Sequence, residues 1–360
     1  MNKNFLWNLD WFLIIPVVIL VLLSLVTLFS LNVNFFYGQV TFFFVSLFIF
    51  LVFSQTNYKI LKIYSKSIYI FSIIALFLVL IWGIESRGAV RWVEILGFRL
   101  QFSEVLKPFL AISFASYLAS LKNLSIKNFL NTFLLLSPVA LLIFFQPDLG
   151  NAVIYFLITL LTLMYLGFPV RYFIFLFLPI VLTTPFLWNF LHDYQKQRIL
   201  TFINPALDPL GTSYNAVQSI IAIGSGMLMG KGIGQGTQSS LRFLPERQTD
   251  FIFATISEQL GFVGVIIILV CFSILIYRIL QIVGSADDSF SRIFSVVVCF
   301  TFLVQIFANI GMNLGLLPIV GVTLPFVSYG GSSLVSNFIF LGLLNTISNY
   351  SKGNKVLEIG

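Results

Sequence analysis

The sequence predicts an all-α polytopic membrane protein with about ten transmembrane helices. Of its 360 residues, 59% are hydrophobic and only 9% are charged, and the mean hydropathy is +1.01. Apolar runs of about twenty residues recur along the chain, and each is long enough to cross a bilayer as a helix. A soluble fold is excluded, because a chain of this length cannot hide so many long apolar helices from water.

Ten apolar runs define the predicted spans of a single membrane domain over residues 1–360. They cover residues 11–31, 36–54, 68–84, 104–121, 129–146, 150–167, 171–190, 256–280, 291–314 and 333–351. A long loop, 191–255, separates spans seven and eight. Loops of this length are usually functional or disordered. Because SYNAVQSIIAIGSG within it has the spacing of an amphipathic helix, a functional loop is favoured.

The distribution of lysine and arginine predicts the orientation. With the N-terminus inside, eleven of these cations lie in the inner segments, whereas only Arg87, Arg91 and Arg99 lie in the short outer loops. Positive residues accumulate on the cytoplasmic side of membrane proteins. Both termini are therefore predicted to be cytoplasmic, and the net charge of +7 requires no nucleic-acid partner.

The outer loops then carry the distinctive sequence. They comprise residues 86–104, 146–150, 191–255 and 315–333. The working site is therefore predicted to be extracytoplasmic, where no ATP is present, and the chain contains no nucleotide motif. Energy for any reaction there must come from the substrate, unless the protein only binds or moves something.

Asp250 is the strongest single candidate for catalysis. It precedes FIFATISEQLG at the predicted outer end of span eight, in a stretch that also holds Arg247 and Glu258. One interpretation is an acid in the first turn of a helix, favoured by the helix dipole. The other is a general base, because a carboxylate beside apolar residues becomes more basic and can take a proton from a hydroxyl.

Three further acidic and basic residues stand at span boundaries. Glu104 and Lys107 share one face of span four, and ionisable residues inside a span are functional candidates by default. Ser103 is predicted to cap that helix. Asp148 in QPDLG is predicted either to cap span six or to ligate a divalent cation.

Two glycine-containing motifs and one histidine complete the candidates. The alternating glycines of 224–236 either expose backbone N–H groups to a phosphate or form a hinge. In PFVSYGGSS, Ser332 or Ser333 is predicted to cap span ten, whose N-terminus would be an anion site. His192 is interpreted as a surface residue, and no zinc-ligand spacing exists.

Together these residues predict an outward site that combines carboxylates, cations and helix N-termini. The candidate cations are Arg91, Lys107, Arg198, Arg242 and Arg247. This combination suits a hydroxyl that attacks an anionic, phosphate-linked donor. The same combination suits equally the recognition and transport of a phosphate-linked lipid.

Four motifs resemble the signature blocks of the SEDS family (shape, elongation, division and sporulation). They are FLPERQTDFIFATISEQLGFVG, GIGQGTQ, QPDLG and GVTLPFVSYGGSS, and RFLPERQTDFIF resembles the RodA type more than the FtsW type. The resemblance implies a peptidoglycan glycosyltransferase that polymerises lipid II outside the cytoplasmic membrane, with undecaprenyl pyrophosphate leaving. Such a reaction needs a base for the acceptor hydroxyl and positive charge near the leaving group.

The resemblance also assigns roles by position. Asp250 matches the essential aspartate of the block and would be the base, although Gln248 stands where histidine is more usual. Glu104 and Lys107 would shape the site or hold the pyrophosphate, and Asp148 matches the acid of QPDLG. The remaining supporting candidates are Arg91, Arg247, Glu258 and Ser332.

The implied cofactor is a divalent cation, Mg²⁺ or Mn²⁺, held partly by substrate phosphates. The implied partners are a class B penicillin-binding protein, which is a transpeptidase, and the elongation machinery. Two alternatives remain: a lipid II flippase, or a non-catalytic scaffold for the transpeptidase.

Overall fold

A computed structural model describes residues 9–86, 89–95, 97–190 and 213–357, together with positions 196, 197, 200 and 202. Each predicted span corresponds to a helix in these ranges. The helices are α1 (Trp11–Leu31), α2 (Val33–Gln55), α4 (Ser65–Trp82), α6 (Lys107–Ala119), α7 (Ile126–Phe145), α8 (Leu149–Tyr165), α9 (Val170–Leu187), α12 (Ile252–Ser285), α13 (Ser289–Asn313) and α14 (Gly331–Leu357).

Helix lengths support the prediction of a multi-pass membrane protein. In the part of the chain that the structure describes, seven helices are long and apolar enough to cross a membrane. α8 and α9 are shorter apolar helices, and α6 has 13 residues and continues from a short preceding turn. Helix α14 lies at the centre of the bundle, since residues 331–348 are all buried.

Four short helices lie between the spans. They are α3 (Tyr58–Ile63), α5 (Phe102–Val105), α10 (Tyr214–Ser225) and α11 (Thr237–Ser240). Helix α10 confirms the amphipathic helix predicted inside the long loop. Much of that loop, including His192 and Arg198, lies outside the described residues.

A small antiparallel sheet, which was not predicted, occupies most of the loop between spans three and four. Its strands are β1 (Ile84–Ser86), β2 (Ala89–Ile95) and β3 (Phe98–Gln101), in the order β1-β2-β3. Trp92 pairs with Gln101 across β2 and β3, and Gly97 turns between these strands with a φ of +81°. The all-α fold class is confirmed, and this loop adds a small sheet that the sequence did not predict.

Helix α12 is broken at Gly261, whose φ of 65° and ψ of −156° are not helical. The glycine-rich segment pairs with the main chain on both sides of this break. Lys231 N and Gly232 N donate to the carbonyl oxygens of Glu258 and Gln259, at 2.9 and 3.0 Å. The glycine run is thus a backbone partner of the broken helix.

Candidate active site

The distinctive loops meet at one end of the bundle, which we call the site end. Gln101 N donates to Ser332 Oγ at 2.8 Å, and the Gln101 side chain donates to Asp148 Oδ2 at 2.6 Å. Tyr329 N donates to Gln248 O at 2.9 Å. These bonds join the β-sheet, the QPDLG turn, the PFVSYGGSS loop and the long loop. The segments predicted to share one face are therefore in contact.

Asp250 lies in the turn before α12, one residue ahead of the N-cap residue Phe251. It is not in the first helical turn, so the dipole interpretation is wrong for this residue. Its carbonyl oxygen accepts hydrogen bonds from Asn309 Nδ2 at 3.0 Å and Asn313 Nδ2 at 2.9 Å. The Asp250 main chain is therefore fixed, while its side chain is half-buried.

Sequence reasoning missed Asn309 and Asn313. Both side chains are fully buried on α13, and Asn313 Oδ1 also accepts from Ala254 N at 3.1 Å. Two asparagines four residues apart in an apolar span were the available signal, because residues at this spacing share a helix face and polar groups inside a membrane need partners.

The Val320–Gly321 segment lies between Asp250 and the start of α8. A Cβ atom at Gly321 would lie 3.6 Å from Asp250 Oδ2, so the carboxylate faces this glycine. A Cβ atom at Gly150 would collide with the carbonyl oxygen of Val320. The main chain of Val320–Gly321 therefore lies between Asp250 and the QPDLG turn.

Asp148 is buried and joins three elements. Its carboxylate caps α8, as predicted, by accepting from Asn151 N at 3.3 Å, and also accepts from Asn151 Nδ2 at 2.9 Å. It further accepts from Gln101 Nε2 and from Ser103 Oγ, the latter at 3.2 Å. The Ser103 hydroxyl therefore bonds to Asp148, and the prediction that Ser103 caps span four is wrong.

Glu104 and Lys107 form an ion pair inside the bundle. Lys107 Nζ lies 2.7 Å from Glu104 Oε1, and the two residues are only 4% and 7% exposed, respectively. Lys107 also lines a cavity that is otherwise mainly apolar. The cavity wall includes Tyr69, Tyr155 and Thr301. The sequence-predicted pairing is present and lies one turn from Ser103.

Ser332 and Arg91 belong to the sheet side of the site. Ser332 lies within α14, and its oxygen accepts from the β3 main chain, so it does not cap that helix. Ser333 Oγ lies 2.9 Å from Thr323 Oγ1. Arg91 in β2 is half-buried, and its Nε has no hydrogen-bond partner among the described atoms.

Glu258 and Arg247 hold the segment before the Asp250 turn. The fully buried Glu258 carboxylate accepts from Gln238 N at 2.8 Å and from Ser239 N and Oγ at 2.9 and 2.7 Å. Arg247 donates to the Ser239 carbonyl oxygen. Burial lowers the pKa of Arg247, and the positive charge of Arg242 lowers it further. Glu258 and Arg247 therefore both form hydrogen bonds with Ser239.

Side chains that commonly bind metals are not clustered in the described residues. These residues contain no group of three or more histidine, cysteine, aspartate or glutamate residues that could hold an ion. Donors surround the Asp148 carboxylate, and Lys107 neutralises Glu104. Neither acid is therefore placed as a metal ligand.

Comparison with protein families matches residues 3–353 to the FtsW, RodA and SpoVE family, described as "Cell cycle protein". The chain belongs to this family. The SEDS resemblance of the four motifs is thus confirmed, and the family match covers all ten predicted spans.

Three relatives each match most of the chain. It is 39% identical over 322 residues to peptidoglycan glycosyltransferase MrdB of Escherichia coli K12, a region that covers 88% of this chain and 85% of the relative. It is 37% identical over 310 residues to the probable peptidoglycan glycosyltransferase FtsW of Wigglesworthia glossinidia brevipalpis, covering 84% and 81%. It is 34% identical over 311 residues to stage V sporulation protein E of Bacillus subtilis 168, covering 83% and 82%.

Solved structures of the family have the same fold. A 28% identical chain from a peptidoglycan synthase complex that coordinates polymerization and crosslinking superposes with a TM-score of 0.83, covering 95% of this chain and 98% of that one. The rod shape determining protein RodA of Thermus thermophilus, 26% identical, gives a TM-score of 0.72 and covers 94% and 96%. The polytopic helical architecture and the RodA-type resemblance are confirmed.

Proposed function

We propose that this chain polymerises lipid II into β-1,4-linked glycan strands at the outer face of the cytoplasmic membrane, for cell elongation and shape. Relatives named peptidoglycan glycosyltransferases support the reaction class. The observation that carries the proposal is the Asp250 turn. Its main chain is held by two buried asparagines, and its carboxylate faces Gly321 where the four loops meet.

In this proposal Asp250 is the general base. Its carboxylate takes the proton from the 4-hydroxyl of the lipid II GlcNAc as that oxygen bonds to the anomeric carbon of the donor. The bond from this carbon to the pyrophosphate breaks, and undecaprenyl pyrophosphate leaves with the electron pair. Attack on the face opposite the leaving group converts an α-linked donor into a β-linked product.

The positive charge that the leaving group requires comes from the site end. Lys107 is already neutralised by Glu104, so we assign that pair to shaping the site. Arg242 is exposed and Arg91 is half-buried, so both side chains are available to a pyrophosphate. Asp148, Glu258, Arg247 and Ser332 act by positioning, because their side chains bind other parts of the protein.

The proposal includes a partner and an orientation. One neighbour was solved in a peptidoglycan synthase complex. We propose a class B penicillin-binding protein as partner, contact with the elongation machinery, cytoplasmic termini and an extracytoplasmic site. Because the described residues lack a metal cluster, a divalent cation would arrive with the substrate phosphates, and we assign no step to it.

The test is polymerisation of labelled lipid II by the purified chain, alone and with its transpeptidase partner. Asp250→Asn is expected to abolish glycan chains while leaving the unfolding temperature unchanged. Asp287→Asn, at an exposed position near the start of α13, is the matched control and should keep full activity. Normal polymer from Asp250→Asn would refute the assignment of the base.

A transporter remains the second candidate, because the buried ion pair beside a cavity would also suit movement of a lipid through the bundle. A lipid-protection assay in vesicles separates the two activities. A flippase would move lipid II between leaflets without making polymer. Polymer made by the isolated chain would reject both a pure flippase and a pure scaffold.

A further inference from the structure

An exposed apolar hook projects from the glycine-rich segment. It consists of residues 226–230, in which Met227, Leu228 and Met229 are 80%, 68% and 80% exposed. Three neighbouring apolar side chains with this exposure are unfavourable in water, because burial of apolar surface is the main favourable term in folding. The position of the hook relative to the spans decides what surrounds it.

Two side-chain contacts mark the depth of the bilayer along α1 and α12. Arg278 Nη2 lies 2.6 Å from Asp10 Oδ2 at one end, and Ser30 Oγ donates to Gln259 Oε1 at 3.0 Å at the other. From position 10 to position 30, a helix rises roughly 30 Å. This distance equals the hydrocarbon thickness of a typical bilayer, so the two polar contacts lie at its two boundaries.

The hook lies on the hydrocarbon side of the boundary at the site end. Phe262 N donates to Met227 O at 2.9 Å, and Val263 N donates to Leu228 O at 3.3 Å. Phe262 lies three residues beyond Gln259 along α12, toward Arg278. The hook is therefore roughly 4–5 Å deeper than the boundary at Gln259.

Part of the hook backbone is hydrogen-bonded to protein at this depth. Irregular backbone inside a bilayer is tolerated only where protein satisfies its hydrogen bonds. The carbonyl groups of Met227 and Leu228 bond to α12 beyond the break, and Gly230 N donates to Gly226 O at 2.8 Å. A Cβ atom at Gly226 or Gly230 would collide with the main chain of α12, so both glycines are required for this close approach.

We propose that residues 226–230 form a re-entrant hook whose Met227, Leu228 and Met229 side chains insert into the hydrocarbon of the leaflet at the site end. The occupant of this surface is the acyl region of the bilayer. The surface is continuous with the exposed apolar residues Phe262 and Val263 of α12. Flexible methionine side chains suit contact with disordered acyl chains.

The hook connects the candidate site to the membrane through a series of side-chain contacts. Lys231 follows it directly, with Nζ 3.5 Å from Glu258 Oε1, and Glu258 holds Ser239. Ser239 in turn accepts from Arg247, three residues before Asp250. The depth of the hook in the bilayer therefore sets the distance between the membrane surface and the segment that leads to the Asp250 turn.

The test uses the full chain in vesicles of phosphatidylethanolamine and phosphatidylglycerol. A nitroxide is attached at Leu228→Cys in a background that carries Cys271→Ala and Cys299→Ala, since both native cysteines are buried and free. Collision rates are measured with oxygen, which concentrates in hydrocarbon, and with a water-soluble nickel complex. Ile266→Cys on the exposed face of α12 is the hydrocarbon control, and Leu316→Cys beyond the end of α13 is the aqueous control.

We expect the Leu228 label to match the Ile266 label, with an oxygen-to-nickel collision ratio about tenfold above that of the Leu316 label. A ratio that matches Leu316 would place the hook in water and overturn the proposal. Low collision with both reagents would mean that protein covers the hook, which would also overturn it. Met229→Cys repeats the measurement if the first variant does not fold, and no outcome depends on enzymatic activity.

Discussion

Lys107 binds Glu104 at 2.7 Å, and both side chains are buried in the bundle. Two opposite charges removed from water stabilise each other only as a pair, and the loss of one leaves the other uncompensated. The pair lies beside Ser103, which is hydrogen-bonded to Asp148. Its geometry is therefore coupled to the start of α8.

Lys107→Met is expected to lower the free energy of unfolding by about 3 kcal/mol or more, because Glu104 loses its partner. The double variant Glu104→Gln, Lys107→Met should recover most of this loss, since a neutral pair has no buried charge to compensate. If the pair shapes the site, polymerisation stays low in both variants. Thermal unfolding in detergent and a lipid II assay check this, and a single variant as stable as wild type would contradict it.

Asp148→Asn is expected to destabilise the protein by about 1–3 kcal/mol, because an amide N–H would face the donors that now bind the carboxylate. Adding Gln101→Glu supplies a matching acceptor and should restore part of the stability. The measurement is thermal unfolding of both variants. Equal stability of Asp148→Asn and wild type would show that the hydrogen bonds to Asp148 contribute little.

Gly321→Ala is expected to reduce both stability and polymerisation. Its φ of +68° disfavours a side chain by about 1–2 kcal/mol, and the new methyl group would lie 3.6 Å from Asp250 Oδ2. Gly97→Ala is the control for backbone strain alone, since Gly97 has a φ of +81° and open space around it. It should lose stability and keep its catalytic rate. An equal fall in rate in both variants would exclude a specific effect on Asp250.

The lowered pKa of Asp288, at the opposite end of the bundle, predicts that acid destabilises the folded protein. Burial alone would raise its pKa, but hydrogen bonds from Ser291 and Tyr58 and the charge of Lys62 lower it below 3.8. The stabilisation is therefore complete above pH 3.8 and is lost as the pH falls through the lower, folded-state pKa. Because the side chain is partly exposed, the contribution is at most about 1 kcal/mol.

Asp288→Asn should therefore lower the unfolding temperature at pH 7. Between pH 5 and pH 2, the unfolding temperature of this variant should fall by less than that of wild type. The measurement is thermal unfolding across this pH range. Identical pH profiles for the two proteins would show that Asp288 is not responsible. Asp287→Asn, at the neighbouring exposed position, is the control.

Local signals were enough to locate the helices. A span needs about twenty apolar residues whatever its neighbours are, so all ten predicted runs became helices, and so did the amphipathic stretch that forms Tyr214–Ser225. Asp148 was likewise found as a cap, because capping involves residues only three positions apart. The three-stranded sheet was missed, because strands as short as Phe98–Gln101 carry too little periodicity to distinguish them from a loop.

The sequence by itself determined the membrane class, the positions of the spans and the identity of the charged candidates, because these depend on composition and near neighbours. Only the tertiary structure decided their partners. Ser103 and Ser332 could cap helices locally, but Asp148 and Gln101 compete for their hydroxyls from 45 and 231 positions away. Asn309 reaches the Asp250 carbonyl across 59 positions. Such contacts depend on how helices pack, and no local rule encodes that arrangement.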